Sequence, residues 1–160
     1  MADLSVLFVC TGNICRSPTA EGVFRTRLRQ AGLADRVSTD SAGTHGYHIG
    51  EPPDSRSIHH ALRRGIDISD LRARKVGPAD FARFDLILAM DRGHLAQLAR
   101  IGPPGTRDRL VLFMDFAAGD LRGRDVPDPY YGHADHFDEV LDLVEAGADG
   151  LLAEVRRRLG

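Results

Sequence analysis

Both cysteines of the chain, Cys10 and Cys15, fall within the stretch FVCTGNICRSPTAEGVFR over residues 8–25. Arg16 follows Cys10 by six positions, with Gly12-Asn13 between them and Ser17-Pro18 directly after. An ionised cysteine sulfur is a strong nucleophile. A guanidinium is a permanently charged, planar clamp for oxyanions. Gly12 and Asn13 are residue types that enter left-handed backbone conformations at low cost. A loop built on them can turn successive N–H groups inward and form a nest for a phosphate-like dianion at a helix N-terminus. Thr11, Ile14 and Cys15 complete that loop. The positive field of such a nest favours the ionised form of Cys10, so the anion-binding loop activates its own attacking atom. The Ser17 hydroxyl is close enough in sequence to donate to the sulfur. A buried structural cysteine beside a surface arginine is the plainer reading, and the Gly-Asn pair inside the spacing and the Ser-Pro after it weigh against it.

Two other chemistries fit the stretch less well. A nucleotide-binding P-loop requires a Gly-Lys-Ser/Thr that does not follow here. Zinc requires a second ligand pair at familiar spacing, and His59 and His60, as sequence neighbours, point to different parts of a helix surface.

The elements that must position the stretch alternate between strand and helix. Val6 to Val9 form a continuous apolar run ending at Cys10, as expected of a strand covered on both faces. Pro18 suits a first helical turn with Ser17 as N-cap, and Val23, Phe24 and Leu28 extend a helical stripe. Arg36 to Ser41 alternates like an edge strand. Ser57 to Arg64 reads as a helix ended by Gly65. Leu86 to Met90 and Leu110 to Met114 read as two further strands, with a helix over Gly93 to Arg100 between them. In the final helix, Asp135 and Asp138 resemble a helix-start pair. Phe137, Val140, Leu141 and Val144 follow at helical spacing, and Gly147 to Gly150 predict a break or kink before Leu151 resumes the stripe. The pattern predicts a single α/β domain over 1–160, a small doubly wound parallel sheet of about four strands with helices on both faces. In such folds ligands sit beyond the carboxyl ends of the strands. Cys10, Ser41, Asp91 and Asp115 all fall at or just after predicted strand ends. The long loops, Gly46–Pro53 and Ala117–Gly132, are of the kind that serve function.

Composition bounds the partners. The 160 residues are 42% hydrophobic and 28% charged, with a formal net charge of −2. A chain of this size buries about 70% of its unfolded surface. Near-neutral charge gives no support for a nucleic-acid partner, and no apolar run reaches the length of a membrane span. The start, Met-Ala-Asp-Leu-Ser, lacks the regions of a signal peptide, so a cytoplasmic location is the expectation. Two cysteines make no secreted disulfide framework. Lys75 is the sole lysine, a bias without functional reading.

The loop Cys10-Thr-Gly-Asn-Ile-Cys-Arg16-Ser-Pro resembles the phosphate-binding loop of the low-molecular-weight protein tyrosine phosphatases. The resemblance runs along nearly the whole chain, through Asp40–Thr44, Gly46–Gly50, Met90-Asp91 and Asp128-Pro-Tyr-Tyr-Gly132. It implies hydrolysis of aryl phosphate monoesters through a cysteinyl phosphate. Cys10 would be the nucleophile, Arg16 the phosphate clamp, and Asp128 the acid that protonates the leaving oxygen and then takes a proton from water. From the sequence alone Asp128 is one acid among 23, although Pro129 restricts its backbone to extended conformations. Tyr47, Tyr130 and Tyr131, the chain's only tyrosines, would wall a slot deep enough for phosphotyrosine. In the family the paired tyrosines are also phosphorylation targets. Relatives acting on phosphoarginine carry Thr at the position of Ile14, so Ile14 favours an aryl phosphate. Asn13 and Ser41 match positions that brace the loop. Many members place a His in the segment matching Ser69–Arg74, and this chain has none, leaving Asp70, Arg72 or no residue as the brace.

In the family a second loop cysteine forms a reversible disulfide with the nucleophile, the role implied for Cys15. No metal or cofactor is implied. The implied partners are phosphotyrosine-containing proteins, a tyrosine kinase among them, with the chain a monomer or weak dimer. An arsenate reductase shares the fold and loop, but the thioredoxin-coupled type relays to later cysteines, and none follows Cys15. A phosphoarginine phosphatase and a non-catalytic phosphate sensor are the remaining alternatives.

Overall fold

The computed structural model describes residues 2–160. Four strands, β1 (Leu4–Cys10), β2 (Val37–Gly43), β3 (Leu86–Ala89) and β4 (Leu110–Leu112), form one parallel sheet in the order β2-β1-β3-β4. The helices are α1 (Arg16–Gln30), α2 (Ser55–Leu62), α3 (Asp80–Arg83), α4 (Arg92–Ile101) and α5 (Ala134–Leu159). β1 is central because its apolar run has no polar face to give to water: Val6, Leu7, Phe8 and Val9 are all fully buried. The two-residue period of a strand sends Val6, Phe8 and Cys10 towards one layer, where Val23, Phe24 and Leu28 of α1 and Val140, Leu141 and Val144 of α5 meet them. Leu7 and Val9 face the opposite layer with Phe81 and Leu98. Phe8 makes edge-on contacts with Phe24 and Phe113 at centroid distances of 5.9 and 5.7 Å. The doubly wound α/β sheet of four parallel strands is the one the sequence predicts, with β2 at its edge.

The chain leaves β1 towards β2 on one side and crosses to β3 on the other. The carboxyl ends of β1 and β3 therefore border the point where strand order reverses, the usual ligand crevice of such sheets. Cys10 and Asp91 lie there.

Several boundaries differ from expectation. The strand expected over Leu110–Met114 stops at Leu112, and Phe113–Phe116 turns into a 3-10 helix that buries Phe113 and Met114. The carboxylate of Asp115 is thereby carried out to the exposed surface. Ser17 is not the N-cap of α1: Cys15 holds that position without a side-chain capping bond. Of the expected acidic pair on α5, Asp135 sits in the first turn, whereas Asp138 accepts from His60 Nδ1 at 3.0 Å and ties α2 to α5.

The break expected at Gly147–Gly150 is absent, and α5 runs unbroken for 26 residues. These glycines serve close approach. A Cβ on Gly147 would lie 2.5 Å from Phe113 Cε2, and one on Gly150 would overlap the backbone carbonyl of Phe116. Helix propensity alone makes Gly150→Ala stabilising by about 1 kcal/mol. Overlap with a backbone carbonyl reverses the sign, to a loss of about 1–3 kcal/mol. Urea unfolding of the variant checks this, and a raised midpoint would refute the close-contact account.

Candidate active site

Loop 11–15 joins the carboxyl end of β1 to the start of α1. Backbone bonds anchor it to the chain just past β2 and just before α2. Thr44 N donates to Cys10 O at 2.8 Å, His45 N to Thr11 O at 3.0 Å, and Asp54 N to Ile14 O at 2.8 Å. Gly43 is required for this approach, since a Cβ there would lie 2.5 Å from Thr11 O. Asn13 has φ 59°, the sole non-glycine residue with positive φ among the described residues. Its side chain holds the turn from inside. Nδ2 donates to Ser17 Oγ at 2.7 Å and Ser41 Oγ at 3.0 Å, and Oδ1 accepts from Arg74 N at 3.0 Å.

This bracing leaves the loop's own donors free. Among the described residues, no backbone N–H of residues 12–17 donates to a backbone carbonyl. A side-chain cap on α1 would consume part of that set, and Ser17 is instead turned to Cys10, its Oγ lying 3.0 Å from Sγ.

Arg16 is 5% exposed, yet its charge is matched. Nη1 donates to Asp91 Oδ2 at 2.8 Å and to Val126 O at 3.1 Å, while Nη2 lies 3.7 Å from Asp128 Oδ2. Burial works against the charge on Asp91, but the His94 backbone N–H and Arg16 hold its carboxyl below the usual range. Asp128 Oδ1 accepts from Tyr130 N at 3.0 Å, which fixes the acid at the start of its own loop. Arg56 holds the same loop from the other side by donating to Tyr130 O at 3.0 Å.

Above Cys10 opens a cleft of about 290 Å3. Cys10, Thr11, Gly12, Ile14, Cys15 and Arg16 line its floor, and Tyr47, His48, Asp128, Tyr130 and Tyr131 form its walls and mouth. The floor holds a sulfur, a cation and a loop whose N–H groups are unpaired with backbone, and the mouth holds one carboxylate among aromatic rings. A phosphate ester of a planar ring fits that polarity.

The family model for low molecular weight phosphotyrosine protein phosphatase matches residues 5–159. The chain belongs to the low molecular weight protein tyrosine phosphatase family. Its relatives include the low molecular weight protein-tyrosine-phosphatase of Streptomyces coelicolor, 48% identical over 159 residues, which cover 96% of this chain and 94% of the relative. Protein-tyrosine phosphatase A of Mycobacterium tuberculosis is 42% identical, covering 99% of this chain and 96% of its own. Among solved structures, a protein tyrosine phosphatase from Entamoeba histolytica with Hepes in the active site superposes with a TM-score of 0.93 at 34% identity, covering 98% and 99% of the two chains. No helix of the described residues is long and apolar enough to cross a membrane.

Within this phosphatase the residues singled out from the sequence converge, with two adjustments. Tyr47 and Tyr131 are 72% and 94% exposed and form an outer lip more than walls. Asp115 lines no part of the cleft. Neither expected substitute for the family's bracing His reaches the loop. Asp70 pairs with Arg25 at 2.9 Å, and Arg72 donates to carbonyls of its own turn. The brace from that segment is the backbone N–H of Arg74 on Asn13.

Three residues were missed. His48 lies over the loop, near the place where a Gly12 Cβ would sit, with Nδ1 2.6 Å from Glu51 Oε2. The glycines flanking Tyr47-His48-Ile49 were the available signal. His94 is buried behind the loop, and its place three residues after a strand-end Asp was the signal. Glu21, on the inner face of α1, looked like any helical acid.

Burial pushes the Cys15 thiol up to about 12, against a hydrogen bond from Ser57 that lowers it. Burial likewise pushes Glu21 up to about 7, against a hydrogen bond from the Ser41 hydroxyl, with Asp40 adding to the rise. Ser41 is the same residue that accepts from Asn13. A carboxyl whose folded value is raised stabilises the fold below its unfolded pKa and loses that contribution as pH rises through about 7. The loss between about pH 4.5 and 8 is on the order of 3 kcal/mol. Glu21→Gln removes the titration, so it should gain stability over wild type at pH 8 and not at pH 4.5. Guanidinium unfolding at both values checks this, and an equal difference at the two pH values would contradict it.

Proposed function

We propose that this enzyme hydrolyses phosphotyrosine in proteins, as a single phosphatase domain, through a phosphocysteine formed on Cys10. The reading is carried by one observation: Cys10 lines the same cleft as Arg16 and as Gly12, Ile14 and Cys15, whose backbone N–H groups donate to no backbone carbonyl.

The phosphate dianion seats in those N–H groups with Arg16 spanning two of its oxygens. The Cys10 thiolate, with the Ser17 hydroxyl as hydrogen-bond donor, attacks phosphorus in line with the ester oxygen. The S–P bond forms as the P–O bond breaks, and Asp128 gives its proton to the departing phenolate. The Asp128 carboxylate then takes a proton from a water molecule whose oxygen attacks phosphorus, which breaks the S–P bond and releases phosphate and thiolate. N–H groups fixed in advance around the equatorial oxygens stabilise the charge that builds up there. Ile14 and Tyr130 supply the apolar sides of a slot for a flat ring, which favours an aryl phosphate over phosphoarginine.

Protein phosphotyrosines, those of a tyrosine kinase among them, are the substrates of this reading, and a monomer or weak dimer is its working form. The test is a series of aryl phosphates of graded leaving-group pKa. Cys10→Ser should abolish turnover while still binding phosphate. Asp128→Ala should lower kcat by about 100-fold for poor leaving groups and least for para-nitrophenyl phosphate. Binding without turnover in the wild type would instead indicate a phosphate sensor, and a uniform loss in Asp128→Ala would remove that residue as the acid.

Cys15 belongs to the same proposal as the partner of an oxidised Cys10. Peroxide converts the Cys10 thiolate to a sulfenic acid, and the Cys15 sulfur displaces water from it to close a disulfide. With Cys15 held as a thiol, closure should quicken as pH rises. Thiol treatment should restore peroxide-inactivated wild type and not Cys15→Ser, and equal recovery of the two proteins would defeat this role.

A further inference from the structure

Behind the loop, polar contacts close into a ring that includes a histidine the mechanism does not use. Arg16 Nη1 donates to Asp91 Oδ2 at 2.8 Å. Asp91 Oδ1 accepts the backbone N–H of His94 at 2.9 Å and lies 3.1 Å from its ring Nδ1. The other ring nitrogen, Nε2, is 2.8 Å from Thr11 Oγ1 and 3.5 Å from Arg16 Nη2. Arg16 Nη2 closes the ring at 3.5 Å from Thr11 Oγ1. His94 is 6% exposed and lines no part of the cleft, so any effect on substrate passes through its neighbours.

The ring requires one form of the histidine. A guanidinium only donates, so the nitrogen facing Arg16 must present a lone pair. With Nε2 kept as the acceptor, the ring proton belongs on Nδ1, which lies near the Asp91 carboxylate without a well-aligned hydrogen bond to it. Thr11 then donates its hydroxyl to Nε2 and keeps its own lone pairs for Arg16. Burial first, and the Arg16 charge second, push His94 down to about 4, against the pull of Asp91, Asp128 and Asp125. The neutral acceptor is therefore the form present around pH 7.

We propose that His94 is a positioning residue for phosphate binding, a neutral hydrogen-bond acceptor that fixes Thr11 and, through Thr11 and Asp91, aims the Arg16 guanidinium at the phosphate. The inference rests on Arg16 being the phosphate clamp. Without His94, Asp91 and Val126 O still hold Nη1, but Nη2 loses its support from behind.

The test compares the inhibition constant of inorganic phosphate, and kcat and KM for para-nitrophenyl phosphate, across variants whose unfolding midpoints are also measured. His94→Leu should weaken phosphate about tenfold and lower kcat, the scale of one hydrogen bond to a charged group. His94→Gln, whose side-chain carbonyl can accept from Thr11, should recover most of that loss. Thr11→Val should show a loss similar to His94→Leu, and the double variant should be little worse than either single one, because both act through a shared bond. Wild-type phosphate inhibition in folded His94→Leu, or fully additive losses, would overturn the proposal. A merely structural histidine would move the unfolding midpoint and leave the inhibition constant in place. Should His94→Leu fail to fold, Thr11→Val must still weaken phosphate, and His94→Gln must add little in that background. Arg16→Ala separates the two levels. If it leaves phosphate inhibition unchanged, the clamp reading fails. If it weakens phosphate while His94→Leu does not, only the role of His94 fails.

Discussion

A run of backbone N–H groups left without carbonyl partners, beside a nearly buried guanidinium, cannot hold its own shape. Like-signed dipoles and charge converge on a short loop, and each unpaired donor carries a desolvation cost. Chain that could satisfy these groups locally would collapse onto them. Loop 11–15 stays open because its carbonyls and side chains are committed outward. Cys10 O and Thr11 O accept from residues 44 and 45, Ile14 O accepts from Asp54, and Asn13 bonds to Ser17, Ser41 and Arg74. The cost of a positive φ at Asn13 is offset by those three side-chain bonds.

The sheet sets how rigid that arrangement is. The central strand, buried on both faces, ends at Cys10, and its neighbours on either side each send a support to the loop. β2 runs into Gly43, whose missing side chain lets Thr11 O approach. β3 runs into Met90-Asp91, where one carboxylate caps α4 through the His94 N–H and pairs with Arg16 through its second oxygen. One acid therefore couples the start of a helix to the aim of a charge across the crevice. Acids are thus placed behind and above the cradle, at Asp91 and Asp128, and none is on its floor. The arrangement keeps the floor positive for an anion while leaving the buried cation compensated.

The buried titratable groups around the site divide by environment more than by type. Glu21, Cys15 and His94 are all pushed towards their neutral forms by burial, whereas Asp91, half-shielded and facing a cation, stays charged. The charged pair behind the cleft floor is therefore Arg16 with Asp91, 2.8 Å apart.

The sequence by itself determined the alternation of strands and helices, because a continuous apolar run and a helical stripe have different periods, although the run over 110–114 turns into a 3-10 helix after Leu112. It also singled out the loop over residues 10–16 as the place for a site, because cysteine, glycine, asparagine and arginine at that spacing each have few other uses together. What it left undetermined were contacts between distant segments. Gly147 and Gly150 read as a helix break in one dimension and are close-packing points against the 113–117 turn in three. Asp70 and Arg72 lay in the right segment to brace the loop, yet the nearer charge of Arg25 and the local turn claimed them, and a backbone N–H took the role. His94 and His48 carry only weak local signals and Glu21 none, since a histidine or glutamate becomes a member of a site only when folding removes its water and brings it a particular partner. Local chemistry is written along the chain, whereas burial and pairing across tens of residues exist only once the sheet has closed.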